Sequence, residues 1–86
     1  MMDKSTALLE RRGYRCTRCE GSLGLWDIVG IGPRDVILAL VRGAKPSSEE
    51  MRKLWMFAIP LNVQKTLHIW EHQLSSDYQC WEVIVG

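Results

Sequence analysis

Long apolar runs are missing from this chain. None exceeds six residues, the length of Val36–Val41, far short of the roughly 20 that a membrane-crossing helix needs, so no membrane partner is expected. Cysteine is scarce and odd in number: three residues do not make a secreted disulfide framework. Reduced thiols and a cytoplasmic location are the expectation. The opening Met1-Met2-Asp3-Lys4 has no apolar stretch after its charge, so no secretory leader is read there. An excess of one charge is lacking too. The formal net charge of +1 is far from the basic balance of a dedicated nucleic-acid binder. The G-x-S-x-G elbow, the P-loop and the dinucleotide fingerprint are all absent. Gly30-x-Gly32 is too short a glycine signal, and it precedes a strand instead of a helix.

Core material, by contrast, is plentiful. Four Trp, four Met and a 47% hydrophobic content in 86 residues argue for a folded body and against disorder. The length fits one α/β domain, residues 1–86. Four indoles cannot all be central in so small a body, so some are expected at a dimer interface, a groove rim or the surface. Charge is also uneven. Residues 1–53 hold ten of the eleven Lys/Arg against seven acids, whereas residues 54–86 hold Lys65 against Glu71, Asp77 and Glu82.

Along the chain, Asp3 or Ser5 is placed to cap a short helix through Arg12, with Gly13 at its C-terminal stop. Ala7, Leu8 and Leu9 would form its apolar face. Tyr14–Glu20 reads as a first strand, and Gly21-Ser22 and Gly24 as a turn or bulge. Leu25–Ile31 is a second strand, followed by the turn Gly32-Pro33-Arg34-Asp35. The aliphatic run Val36–Val41 is a central strand covered on both faces and ended by Arg42-Gly43.

Ser47-Ser48-Glu49-Glu50 fits a capping box, in which Ser47 and Glu50 satisfy each other's backbone N–H groups. Met51, Leu54, Trp55 and Ala58 then form a core-facing helical stripe, and Pro60 blocks continuation. Gln64–His72 and Tyr78–Val85 are two further strands joined by Ser75-Ser76-Asp77. The αβββαββ order predicts a mixed central β-sheet flanked by helices.

Several constellations invite chemistry. Cys16-x-x-Cys19 is half of a zinc site, yet Cys80, His68 and His72 would complete it only through tertiary accident. Two structural thiols are the simpler reading. His68 and His72 stand about 13 Å apart on a strand, too far for a metal pair. Arg11, Arg12, Arg15 and Arg18 either touch phosphates or form a solvated helix end at the negative pole of the dipole. Asp27 weighs most. An ionised carboxylate inside Leu25-Trp26-Asp27-Ile28-Val29 costs several kcal/mol unless paired or metal-bound. Arg42, ending the neighbouring strand, is its natural partner.

A Gly-Ser, an aromatic-Asp strand and an aliphatic strand ending in a basic residue resemble the PD-(D/E)XK nuclease superfamily. Within it, the layout is similar to small archaeal Holliday-junction-resolvase-like and related restriction-endonuclease-like domains. The resemblance implies a restriction-endonuclease-like fold over residues 5–85. It implies a first acid at Asp27, a helix Glu at Glu10 and a loop serine at Ser22. The acid-x-Lys triplet of the family departs here: Leu40-Val41-Arg42 puts Leu for the second carboxylate and Arg for Lys.

One carboxylate makes a weak Mg²⁺ site at Asp27, and Arg, always protonated, cannot act as a general base. Glu10 or Asp35 would have to supply the missing oxygen. The expectation is therefore a nuclease-fold domain that binds DNA, branched DNA included, is catalytically weak or inactive, and associates as a homodimer. Arg11, Arg12, Arg15 and Lys45 would contact phosphates. Two rivals stand beside it: an active Mg²⁺-dependent structure-specific endonuclease with atypical ligands, and a noncatalytic protein–protein interaction domain using exposed Trp surface.

Overall fold

A computed structural model describes residues 1–19, 25–72 and 77–86. In chain order the elements are α1 (Met2–Arg11), β1 (Arg15–Arg18), β2 (Ile28–Ile31), β3 (Val36–Arg42), α2 (Ser48–Met56), β4 (Val63–His72) and β5 (Tyr78–Ile84). The five strands form one mixed sheet in the order β1-β2-β3-β4-β5. Neighbours are antiparallel except β3 and β4, which run parallel across the α2 crossover. The expected α/β class and mixed sheet are thus present. The turns expected at Gly21-Ser22, Gly24 and Ser75-Ser76 lie outside the described residues.

β3 is central because its side chains are apolar in both directions. Leu38 and Leu40 join Trp26, Leu54, Leu67, Ile69 and Val85 on the α2 face. Ile37, Ala39 and Val41 join Leu9, Ile28 and Trp70 on the α1 face. The helices therefore cover opposite faces of the sheet, and burial of these two layers is the main apolar driving force.

Local details correct several expectations. Neither Asp3 nor Ser5 caps α1; the N-cap is Met1, without a side-chain bond. Ser5 is instead buried against the sheet. Gly13 does end the helix, with φ +96°, a conformation glycine adopts without penalty. Regular pairing of β2 begins at Ile28, not Leu25, although the Asp27 N–H still donates to the Ala39 carbonyl at 2.9 Å. The reverse turn forms as expected, Gly32 N–H donating to the Asp35 carbonyl at 2.8 Å.

Gly30 and Gly32 have a packing role: the Tyr14 ring lies across them, and a Cβ on Gly32 would sit 2.9 Å from its Cε1. The α2 capping box is half made. Glu50 N–H donates to Ser47 Oγ at 3.2 Å, but the Glu50 carboxylate turns away to Arg42. Of the α2 stripe, Leu54 is buried while Trp55 and Ala58 are exposed. The helix stops at Met56, and Lys65 explains part of that stop. Its buried Nζ donates to the carbonyls of Leu54, Trp55 and Phe57 at 2.7, 2.9 and 2.9 Å, a cation at the negative helix pole. Burial lowers its pKa.

Candidate functional site

Asp27 sits where the start of β2 meets the end of β3. Its backbone is fixed from both sides, since its carbonyl also accepts from Cys19 N–H at 2.8 Å. Its carboxylate reaches β3, where Oδ2 accepts from Val41 N–H at 2.9 Å and from Arg42 Nη1 at 3.3 Å. Arg42 also donates through Nη1 to the Val41 carbonyl at 2.9 Å and through Nε to Glu50 Oε1 at 3.3 Å. The Asp27–Arg42 ion pair expected from the sequence is therefore present. A second acid, Glu50 of α2, joins it.

Alternation along β3 puts Leu38, Leu40 and Arg42 on the α2 face. Leu40 and Arg42 thus share one face, with Leu40 only 1% exposed beneath α2 and Arg42 at the rim, where Asp27 meets it. Other expected participants are elsewhere. Glu10 is exposed on α1, which packs on the opposite face of the sheet, so it does not reach Asp27. Asp35 lies at the other end of β3, about 20 Å away along the strand, where both carboxylate oxygens accept from Tyr14 Oη at 2.9 Å. Ser22 is outside the described residues.

The basic residues divide similarly. Arg11, Arg15 and Lys45 are exposed, the first two by the α1–β1 junction and Lys45 just after β3. Arg12 is already engaged: its Nη1 and Nη2 donate to Glu82 Oε1 and Oε2 at 3.1 and 2.5 Å. Arg18 pairs with Asp3.

A second polar cluster, which sequence reading missed, lies on the α1 face. His68 of β4 is fully buried. Its Nδ1 is 2.9 Å from Ser5 Oγ and its Nε2 is 3.1 Å from Glu82 Oε2. Trp70 Nε1 donates to the same Ser5 Oγ at 2.7 Å, and Thr66 Oγ1 donates to Glu82 at 3.3 Å. With Nε2–H donating to the carboxylate, Nδ1 is left to accept from the Ser5 hydroxyl. Burial lowers the His68 pKa below its ordinary value, partly offset by Glu82. At Glu82 burial pushes upward, but the Arg12 and His68 hydrogen bonds outweigh it and hold the carboxyl below its ordinary range.

The Ser-His-Glu order resembles a nucleophile relay, but Ser5 is fully buried and accepts from Trp70, so no substrate reaches it. The cluster clamps α1 to β4 and β5. The available sequence signal was His68 and Lys65, polar residues inside the apolar stretch of β4.

The donor set does not suit Mg²⁺. Among the described residues no group of three or more His, Cys, Asp or Glu side chains is arranged to hold a metal ion, and Asp27 and Glu50 are both bonded to Arg42. Zinc is not favoured either: Cys16, Cys19 and Cys80 are free thiols, His68 is taken by Ser5 and Glu82, and exposed His72 packs edge-on against Tyr78. Burial raises the pKa of all three thiols, which suits inert structural cysteines. No protein-family model matches this chain, and no curated protein matches its sequence.

Proposed function

We propose that this chain is a nuclease-fold domain that binds DNA and has lost strand cleavage. One observation carries the reading: the Arg42 guanidinium, on the same face of β3 as Leu40, is bonded to both Asp27 and Glu50. That is where the resemblance asks for two acids and a lysine around Mg²⁺. A divalent cation needs several oxygen ligands; here it would have to displace a guanidinium from both available carboxylates. The same geometry disfavours the active-endonuclease alternative. Exposed Arg11, Arg15 and Lys45 support phosphate contact. Arg12 contributes less, because its fork is occupied by Glu82.

Fluorescence anisotropy with branched and linear DNA, with and without Mg²⁺ or Mn²⁺, tests both halves. Binding is expected to weaken steeply with salt, and Arg11→Ala, Arg15→Ala and Lys45→Ala should each reduce the salt slope by about one. Absence of binding at about 50 mM salt would remove the DNA reading. Metal-dependent cleavage that disappears in Asp27→Ala would remove the noncatalytic one.

A further inference from the structure

The two edges of the sheet differ in kind. β1, Arg15–Arg18, carries two arginines on a four-residue edge, the sort of charged, short edge that discourages strand addition. β5, Tyr78–Ile84, is seven residues long and contains neither Pro nor Gly. Its single charge, Glu82, is met within the protomer by Arg12 and His68. Among the described residues no strand lies beyond β5. Large apolar side chains nevertheless stand out along it: Trp81 is 51% exposed, and Val83 and Ile84 are exposed too. Pairing with β4 sets Trp81 opposite Ile69 and Val83 opposite Leu67, so both lie on the α2 face. Trp55 of α2, 54% exposed, reaches the end of this strand, its Cε3 lying 4.0 Å from where a Cβ on Gly86 would sit.

We infer that the free edge of β5 docks a second copy of this chain, antiparallel and centred on Trp81. The strand is self-complementary about that residue. A two-fold through Trp81 pairs all seven positions, setting Glu82 against Cys80, Val83 against Gln79 and Ile84 against Tyr78 of the second copy. No like charges face each other, and the two Trp81 rings form a cross-strand aromatic pair on one face. The exposed halves of Trp55 and Trp81 offer about 200 Å² of apolar surface per protomer. With the strand edge added, the interface falls below the roughly 800 Å² per partner of standard complexes, so association is reversible and concentration-dependent. This inference does not rest on the DNA-binding reading.

Sedimentation equilibrium from about 5 to about 300 μM chain, without DNA, tests it. A monomer–dimer equilibrium is expected, and Trp81→Lys should raise its dissociation constant at least ~10-fold while far-UV circular dichroism is unchanged. A chain that stays monomeric throughout overturns the inference, as does a dimer indifferent to Trp81→Lys. Should that variant lose its fold, amide exchange of the unsubstituted chain decides. Protection of alternate β5 amides that grows with concentration supports the docking; concentration-independent exchange overturns it.

Discussion

Asp27 and Glu82 each bring a carboxylate to the sheet, and each is met by an arginine. Their side chains are equally exposed, at 27%, yet their surroundings differ. Glu82 accepts two bonds from Arg12, one from buried His68 and one from Thr66. Every member of that cluster has a protein partner, and its bonds join α1 to β4 and β5. Asp27 has one short bond, to the Val41 amide, and a longer one to Arg42, which it shares with Glu50. Equal exposure therefore does not mean equal surroundings. The closed cluster fixes the fold, whereas at Asp27 two acids share a single cation, the feature on which the proposed function rests.

The strongest way to break this contrast is to give the Asp27 face its missing ligands. Leu40→Glu with Arg42→Lys puts a carboxylate where Leu40 is packed under α2. Without metal this should cost several kcal/mol of stability. Added Mg²⁺ or Mn²⁺ should restore part of it, read as a rise in melting temperature and as heat in calorimetry. A double variant with no metal response would show that Leu40 does not occupy a ligand position.

A smaller effect is expected from the opposite cluster. Ser5→Ala removes the acceptor of Trp70 Nε1 and the partner of His68 Nδ1, both buried. Urea unfolding should show a loss of about 2 kcal/mol, while DNA affinity stays the same. A loss near zero would mean that α1 is held by Leu9 and its apolar neighbours alone.

The mildest perturbation is pH. His68 is held neutral in the fold, below its ordinary value, so the unfolded chain takes up its proton first. Its contribution is complete above about pH 6.5 and declines as pH falls through and below that value. Glu82, lowered in the fold, adds a second loss only below its ordinary range. Both slopes have the same sign. A urea midpoint unchanged between pH 7.5 and 5.5 would contradict the buried neutral imidazole.

Much of the architecture was legible because it follows from local rules. The aliphatic Val36–Val41 run could only be a strand covered on both faces, and Ser47 ahead of Glu50 marked the start of α2. Asp27 stood out as a costly acid in an apolar segment, and Arg42 as its partner. What stayed hidden depends on residues distant in sequence. Ser5 looked like a cap because capping is local, but His68 and Trp70, more than 60 residues away, claim its hydroxyl. Glu50 looked like the second half of a capping box, but Arg42 competes for it. Trp55 fitted a buried stripe by spacing, yet the helix ends at Met56 and leaves the indole at the surface.

Patterning and turn chemistry by themselves determined the mixed α/β class, the central position of β3 and the pairing of Asp27 with Arg42, because each depends on residues that are adjacent in sequence or on neighbouring strands. Only the tertiary structure decided which face each polar side chain served. A helix on either side of one sheet separates Glu10 from Asp27, and strand length separates Asp35 from it. The same folding gathers Ser5, His68, Glu82 and Arg12 from both ends of the chain, and among the described residues no strand pairs with the outer edge of β5, rich in apolar side chains. Those outcomes depend on which elements pack together, and no local spacing encodes that.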